Sequence, residues 1–296
     1  MRILNSTSSI KDLPTLPEII FKVQRLANSD EADARAMAQA IMQDPPLAAK
    51  ILKVANAAFY GPSNKRISSI QLAVARIGFN EVRDLVMAAE LITRFASTSN
   101  VLDYSTFWKH SLTAGYLVQH IYEKSSVPYD KDVLFKFFMS GLLHDIGILV
   151  YDQFFHAEFE QVIQYAVENE ISFLAAEHHQ FPKETHPFAA GVLLELWKID
   201  SEIIAAVRYH HEPEKAPTQF KHIVTTAALA EFILCNTALG SFEGIIEADM
   251  KKWCSELGVD PERLPDLQAA AEQEAAVCDM IIASSPQQKT DQLHYI

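Results

Sequence analysis

Residues 138–150 read FMSGLLHDIGILV. Phe138, Leu142, Leu143, Ile146, Leu149 and Val150 make this stretch too apolar to lie on a water-facing surface, so it must form part of a core. In its middle stand His144 and Asp145, side by side. Burying an unpaired carboxylate costs several kcal/mol. Any fold that accepts this segment must therefore bring opposite charge, hydrogen-bond donors or a metal ion to Asp145.

The rest of the chain shows what can surround it. Nine glycines in 296 residues and few alternating β-branched runs leave helical periodicity as the dominant pattern. Pro17 opens a helix carrying Ile19, Ile20, Val23 and Leu26. A second spans Asp33–Met42. Asp44 reads as the N-cap of a third, which starts at Pro45-Pro46 and places Leu47, Ile51, Leu52 and Ala55 on one face. Ile70, Val74 and Ile77 run to Gly78, a C-cap, and Val82 to Ile92 mark another helix. The polar stretch 96–104 is the best boundary. Helices resume at Ser105–Tyr122, Lys131–Phe154, Phe159–Asn169, Ile171–His178, His186–Trp197, Ser201–His210 and Phe220–Leu239, followed by Glu247–Leu257 and Pro265–Ile282. The reading is all-α. It has a tail at 1–11, an N-terminal helical lobe at 12–95, a second lobe at 105–240, C-terminal helices at 245–283 packed on the domain, and a loose tail at 284–296. Phe59 and Tyr60 read as packing residues or as a partner surface.

Charge and composition narrow the partners. The net charge of −13 opposes binding to a phosphate backbone, and the pairs Lys65-Arg66 and Lys251-Lys252 do not make a basic groove. No run of 18 apolar residues is present, so no membrane span is expected. The first residues contain no apolar signal core. Cys235, Cys254 and Cys278 are scattered and form no CxxC pair, which suits free thiols in a cytoplasmic protein and argues against a zinc-thiolate site.

Five of the eleven histidines lie in apolar helical contexts or at the ends of such helices: His110, His144, His186, His210 and His211. Any one alone reads as an ordinary core histidine, and His210-His211 as groups favoured by a helix C-terminal dipole. Five together with Asp145 fit a divalent metal, which would also supply the charge that Asp145 needs. Adjacent helical residues point about 100° apart, so His144 and Asp145 can reach one site, with Asp145 placed to bridge two ions. His178-His179 read as solvent-facing, and His120, His156, His222 and His294 as ordinary, mostly surface residues.

The order of these motifs resembles a known family. FWKHS with His110, GLLHDIG, His186 ahead of Gly191–Trp197, and RYHHEP are similar to the HD superfamily of metal-dependent phosphohydrolases. LPTLPEI, IMQDPPLAAKILKVANAAFYG and SSIQLAVARIGFNEVRDLV narrow the resemblance, over roughly residues 12–236, to the HDOD family of bacterial signalling output domains. The resemblance implies a helical N-terminal lobe and an HD-like C-terminal lobe. It implies a regulatory role more often than an enzymatic one.

Carried over by position, His110, His144, Asp145, His186, His210 and His211 match the ligands of the binuclear HD-GYP branch. The last ligand there is an Asp, and the matching place holds Glu231, whose extra methylene shifts the carboxylate by about 1.5 Å. Two further departures argue against cyclic di-GMP hydrolysis: Ile148 stands where that branch carries Lys, and the GYP loop is missing after HHEP. Three readings follow. The first is a signalling module with a metal site (Fe, Mn, Zn, Ni or Co, one or two ions) whose signalling partners act in trans. The second is a phosphohydrolase acting on a phosphorylated small molecule with metal-activated water, Asp145 bridging the ions. The third is a metal-free scaffold with a histidine network in its core.

Overall fold

The computed structural model of the chain describes residues 13–27, 34–57, 67–95, 101–128, 130, 133–235 and 247–284. Phe59, Tyr60, Lys65, Arg66, His294 and both expected tails, apart from Ser284, lie outside the described residues. Among the described residues the regular structure is helical and no strand occurs, so the fold is all-α as expected. The chain divides into two compact units. One is formed by Thr15–Ser97 with Ala276–Gln288, the other by Thr98–Ala275 with the two chain ends.

The first unit holds α1 (Glu18–Ala27), α2 (Ala34–Ile41), α3 (Pro45–Ala55), α4 (Ile70–Ile77), α5 (Phe79–Arg94) and the short α16 (Cys278–Ile282). Its motifs do structural work. Asp44 Oδ1 accepts from the Leu47 amide at 3.0 Å, which caps α3, while Pro45 takes a position that needs no donor. Asn56 binds the chain at Ile67 in both directions, donating to its carbonyl at 2.9 Å and accepting from its amide at 2.8 Å. Gly78 adopts φ 106°, which ends α4 and starts α5 without a connecting loop. Lys53 donates to Met280 O and Ser284 Oγ, which ties the end of α16 to α3.

The second unit holds α6 (Tyr104–Lys124), α7 (Leu134–Leu143), α8 (Ile146–Phe154), α9 (His156–Asn169), α10 (Phe173–Gln180), α11 (His186–Leu196), α12 (Ser201–Tyr209), α13 (Lys221–Cys235), α14 (Glu247–Leu257) and α15 (Leu264–Ala275). Helix α6 lies along α7 and against α13 and α15, and α8 packs on α11. Two close approaches set these pairings. At Gly141 a Cβ would overlap the backbone of Ala114 and Gly115 on α6, and at Gly147 it would overlap the His186 carbonyl at the start of α11.

The continuous helix expected over 131–154 is two helices. The chain turns at His144–Asp145, where Asp145 has φ −99° and ψ 5°. The His144 ring bonds the Gly141 carbonyl, the acceptor that another helical turn would use. Residues 134–154 are long and apolar enough to cross a membrane by length and composition, but 89% of that apolar window is buried inside the protein, as in a core element.

His120 and His222 are not the surface residues that the sequence suggests. His222 packs against the rings of Tyr122 and Phe137. His120 lies between Glu123 of α6, 3.8 Å away, and Glu274 of α15, 3.3 Å away. Burial opposes its charge, but the two carboxylates outweigh that and push its pKa up to about 9.

Two outcomes follow. Gly147→Ala should destabilise the protein by about 1–3 kcal/mol, read by urea unfolding, because α8 and α11 must separate to admit the methyl. His120 titrates higher folded than the ordinary histidine value of about 6.5. Its stabilising effect is therefore complete below pH 6.5 and is lost as pH rises through about 9. The partners are partly exposed, so the loss should be about 1 kcal/mol between pH 6.5 and 9.5, and absent in His120→Gln.

Candidate metal centre

All seven residues singled out in the sequence converge inside the second unit. His110 comes from the middle of α6, His144 and Asp145 from the turn between α7 and α8, His186 from the first position of α11, His210 and His211 from the end of α12, and Glu231 from α13. His110, His144, Asp145, His186, His210 and Glu231 are buried, and His211 is half-buried.

Local structure fixes which ring nitrogen His144, His186 and His210 present. His144 and His210 both follow the last residue of a helix. Each places Nδ1 on the carbonyl three residues back: Gly141 O at 2.6 Å and Val207 O at 2.7 Å. A carbonyl can only accept, so Nδ1 carries the proton and Nε2 faces the centre. The same bonds satisfy carbonyls that a helix end leaves unpaired. His186 is held differently. Glu177 of α10 accepts from its Nδ1 at 2.6 Å and from its backbone N–H at 2.9 Å. Its Nε2 therefore also points inward.

These atoms form two sets that share Asp145. Asp145 Oδ2 lies 3.1 Å from His144 Nε2 and 3.5 Å from His110 Nε2. Glu231 Oε2 joins this set at 3.1 Å from His144 Nε2 and 3.2 Å from His110 Nε2. Asp145 Oδ1 faces the other set, 3.3 Å from His186 Nε2 and 3.6 Å from His210 Nε2. His211 Nε2 completes it, 3.1 Å from His186 Nε2. Within each set the candidate ligand atoms all lie within 4.8 Å of one another. One carboxylate oxygen per set is the arrangement of a bridging ligand between two ions.

The electrostatics favour a cation. Burial opposes charge on Asp145 and Glu231, yet the histidines hold both carboxyls well below the usual range, His144 acting first on Asp145 and His110 first on Glu231. Burial likewise opposes charge on His144 and His186. Asp145 outweighs it at His144, and Glu177 together with Asp145 raises His186 to about 10. Burial keeps His210 and His211 below the ordinary value, and their imidazole neighbours add to this. With no ion, the neighbouring carboxylates favour the protonated forms of His144 and His186 as counter-charge. Even then His210 Nε2 is buried without a hydrogen-bond partner, 3.6 Å from Asp145 Oδ1. These residues fit a metal: it would use the inward Nε2 lone pairs and both oxygens of Asp145.

Glu231 reaches the centre despite its longer side chain. The Cys235 thiol, one turn further along α13, donates to its other oxygen, Oε1, at 3.0 Å. The sequence reading missed Cys235 and Glu177. Glu177 stands beside His178-His179, which read as a solvated helix end, yet it is 1% exposed. Its burial beneath His186 depends on the path of the chain between α10 and α11. His179 stacks on Tyr165, and His178 lines a cavity of about 210 Å³ that also touches His211.

The chain belongs to the HDOD domain family, which matches residues 13–213. Solved structures share its fold. An HDOD domain protein of unknown function from Geobacter sulfurreducens aligns with TM-score 0.77 at 24% identity, over 92% of this chain and 95% of that one. A Shewanella amazonensis SB2B protein provisionally named a phosphohydrolase aligns with TM-score 0.71 at 20% identity, over 93% and 97%. A Marinobacter aquaeolei VT8 protein provisionally named a signal transduction protein aligns with TM-score 0.74 at 23% identity, over 93% and 64%. An uncharacterized protein of Treponema pallidum is 23% identical over 225 residues, and the match spans 42% of that relative's length.

Glu177 gives a test of the outer shell. Glu177→Gln should keep the fold but weaken transition-metal retention about 10–100-fold, measured by competition with a chelator, because the His186 ring loses its charged anchor.

Proposed function

We propose that this chain is a regulatory HDOD module of a bacterial signalling system. Its second unit carries a centre for one or two divalent transition-metal ions, held by His110, His144, Asp145, Glu231, His186, His210 and His211. The observation that carries this reading is the division of Asp145, one oxygen to each set of imidazoles. The donor set of imidazole and carboxylate suits Fe, Mn, Zn, Ni or Co. His210 Nε2, buried without a hydrogen-bond partner and 3.6 Å from Asp145 Oδ1, speaks against the metal-free scaffold, in which a hydrogen-bonded core would satisfy it. In this reading the module works in the cytoplasm and meets its signalling partners in trans.

A second reading, a phosphohydrolase for a small phosphoester, is favoured by one observation: the cavity that touches His211 gives the centre an opening. Bound ions would supply an activated water and neutralise phosphoester charge. The chain's own residues would orient that chemistry, through Asp145 between the sets and Glu177 behind His186. Ile148 is fully buried and offers phosphate no charge, which speaks against cyclic dinucleotides as substrates.

Metal analysis of untagged protein purified without oxygen tests both readings. One to two equivalents of a transition metal are expected. They should be lost in His144→Ala Asp145→Ala and reduced in His211→Ala, whose half-buried position makes it the gentler change. Chelation should lower the Tm of the wild type, since a ligand at a hundred times its Kd stabilises by about 2.7 kcal/mol. A well-folded wild type that binds no metal would sink the proposal.

A further inference from the structure

The two carboxylates of the centre are shared out differently. Asp145 gives one oxygen to each set of imidazoles. Glu231 gives only one oxygen to the centre: its Oε2 lies 3.2 Å from His110 Nε2 and 3.1 Å from His144 Nε2. Its Oε1 is engaged elsewhere, by the Cys235 thiol at 3.0 Å. A glutamate side chain has a loose terminal torsion, and rotation about it exchanges the two oxygens. Something must decide which oxygen the imidazoles see.

We propose that Cys235 is a positioning residue of the centre: its thiol holds Glu231 Oε1 so that Oε2 alone faces the first set. The inference rests on the metal-centre reading and adds a residue that this reading leaves outside the ligand set. Helix geometry makes the contact possible. Cys235 is the last residue of α13 and stands four positions beyond Glu231, so the two side chains share a face and Cys235 leans back toward Glu231. Elsewhere in the chain, hydroxyls in the same relation bond the backbone: Thr93 donates to Ala89 O, Thr113 to Lys109 O and Thr226 to His222 O. At Cys235 the thiol reaches the carboxylate of the residue one turn back. A thiol is a weak donor, and an ionised acceptor gives it the stronger kind of hydrogen bond. Glu231 is 1% exposed, so bulk water does not compete at Oε1.

The chemistry of the donor matters as much as its place. A lysine or arginine at this point would neutralise Glu231 and compete with a cation for its charge. A neutral thiol orients the carboxylate and leaves the charge to the centre. It occupies Oε1 only, so the lone pairs of Oε2 stay available. The two sets are then steadied from outside in matching ways. Glu177 fixes His186 in one set, and Cys235 fixes Glu231 in the other. Groups that orient ligands in this manner typically change metal affinity about 10–100-fold.

The test uses the purified full chain and two readouts. In metal-free protein, the infrared S–H stretch of Cys235, isolated by difference against Cys235→Ala, should lie below that of an unbonded thiol and return to it in Glu231→Ala. In zinc titrations of metal-free protein against a competing chelator, Cys235→Ala should weaken binding about tenfold. In the Glu231→Ala background it should cause no further loss, because the thiol acts only through that carboxylate. An S–H stretch at the unbonded position, zinc affinity in Cys235→Ala equal to that of wild type, or a further loss in Glu231→Ala overturns the positioning role and leaves the metal reading standing. A displaced S–H stretch in a wild type that binds neither zinc nor manganese supports the thiol's hold on Glu231 and fails the metal reading instead.

Discussion

Asp145 is the group around which the second unit is arranged. Its carboxylate is 1% exposed and cannot stay charged there without compensation. The compensation comes from four directions: α6, α11, the end of α12, and the neighbouring His144. Each of these elements must come close, and the glycines on either side of the turn allow it. Gly141 admits the backbone of α6, and Gly147 admits the start of α11. The helix break at 144–145 therefore belongs to the same design. A straight helix would bury both side chains but would not place Gly147 against the His186 carbonyl.

A second layer decides what the imidazoles can do. The Gly141 and Val207 carbonyls and the Glu177 carboxylate each take an Nδ1 proton, and the matching Nε2 atoms are left facing inward. Two of the three use carbonyls that helix ends leave without a partner, so one hydrogen bond both caps a helix and fixes a tautomer. This economy explains why His144 and His210 sit where helices stop. The helix-dipole account of His210-His211 and the metal account are not rivals here. The end of α12 supplies the acceptor for His210, and the freed nitrogen supplies the candidate ligand.

Much of this was legible in the chain. Apolar periodicity located the helices, Asp44-Pro45-Pro46 announced a cap, and the histidines in core contexts announced a cluster. What was not legible depended on how segments return to one another. The run 131–154 reads as one helix because periodicity is blind to a single side chain capturing a carbonyl. Glu177 was missed because it stands beside His178-His179, which read as solvent-facing, and it is buried beneath His186 at the start of α11. His120 reads as surface because Glu274, on α15, lies far along the chain. Glu231 could be placed only by family resemblance, since one glutamate within an apolar helix carries no local signal.

The same geometry bears on how such a centre would be used. Its candidate ligands come from α6, the α7–α8 turn, α11, the α12 end and α13, so an ion bound there is shared by most of the helices that make the unit's core. Under the proposed reading, occupancy is then a term in the stability of the whole unit rather than of one loop. A catalyst needs its centre open to substrate and product. Here six of the seven groups are sealed and the opening holds about 210 Å³. A sealed, structurally shared centre with a narrow mouth favours detection of a small ligand over rapid turnover.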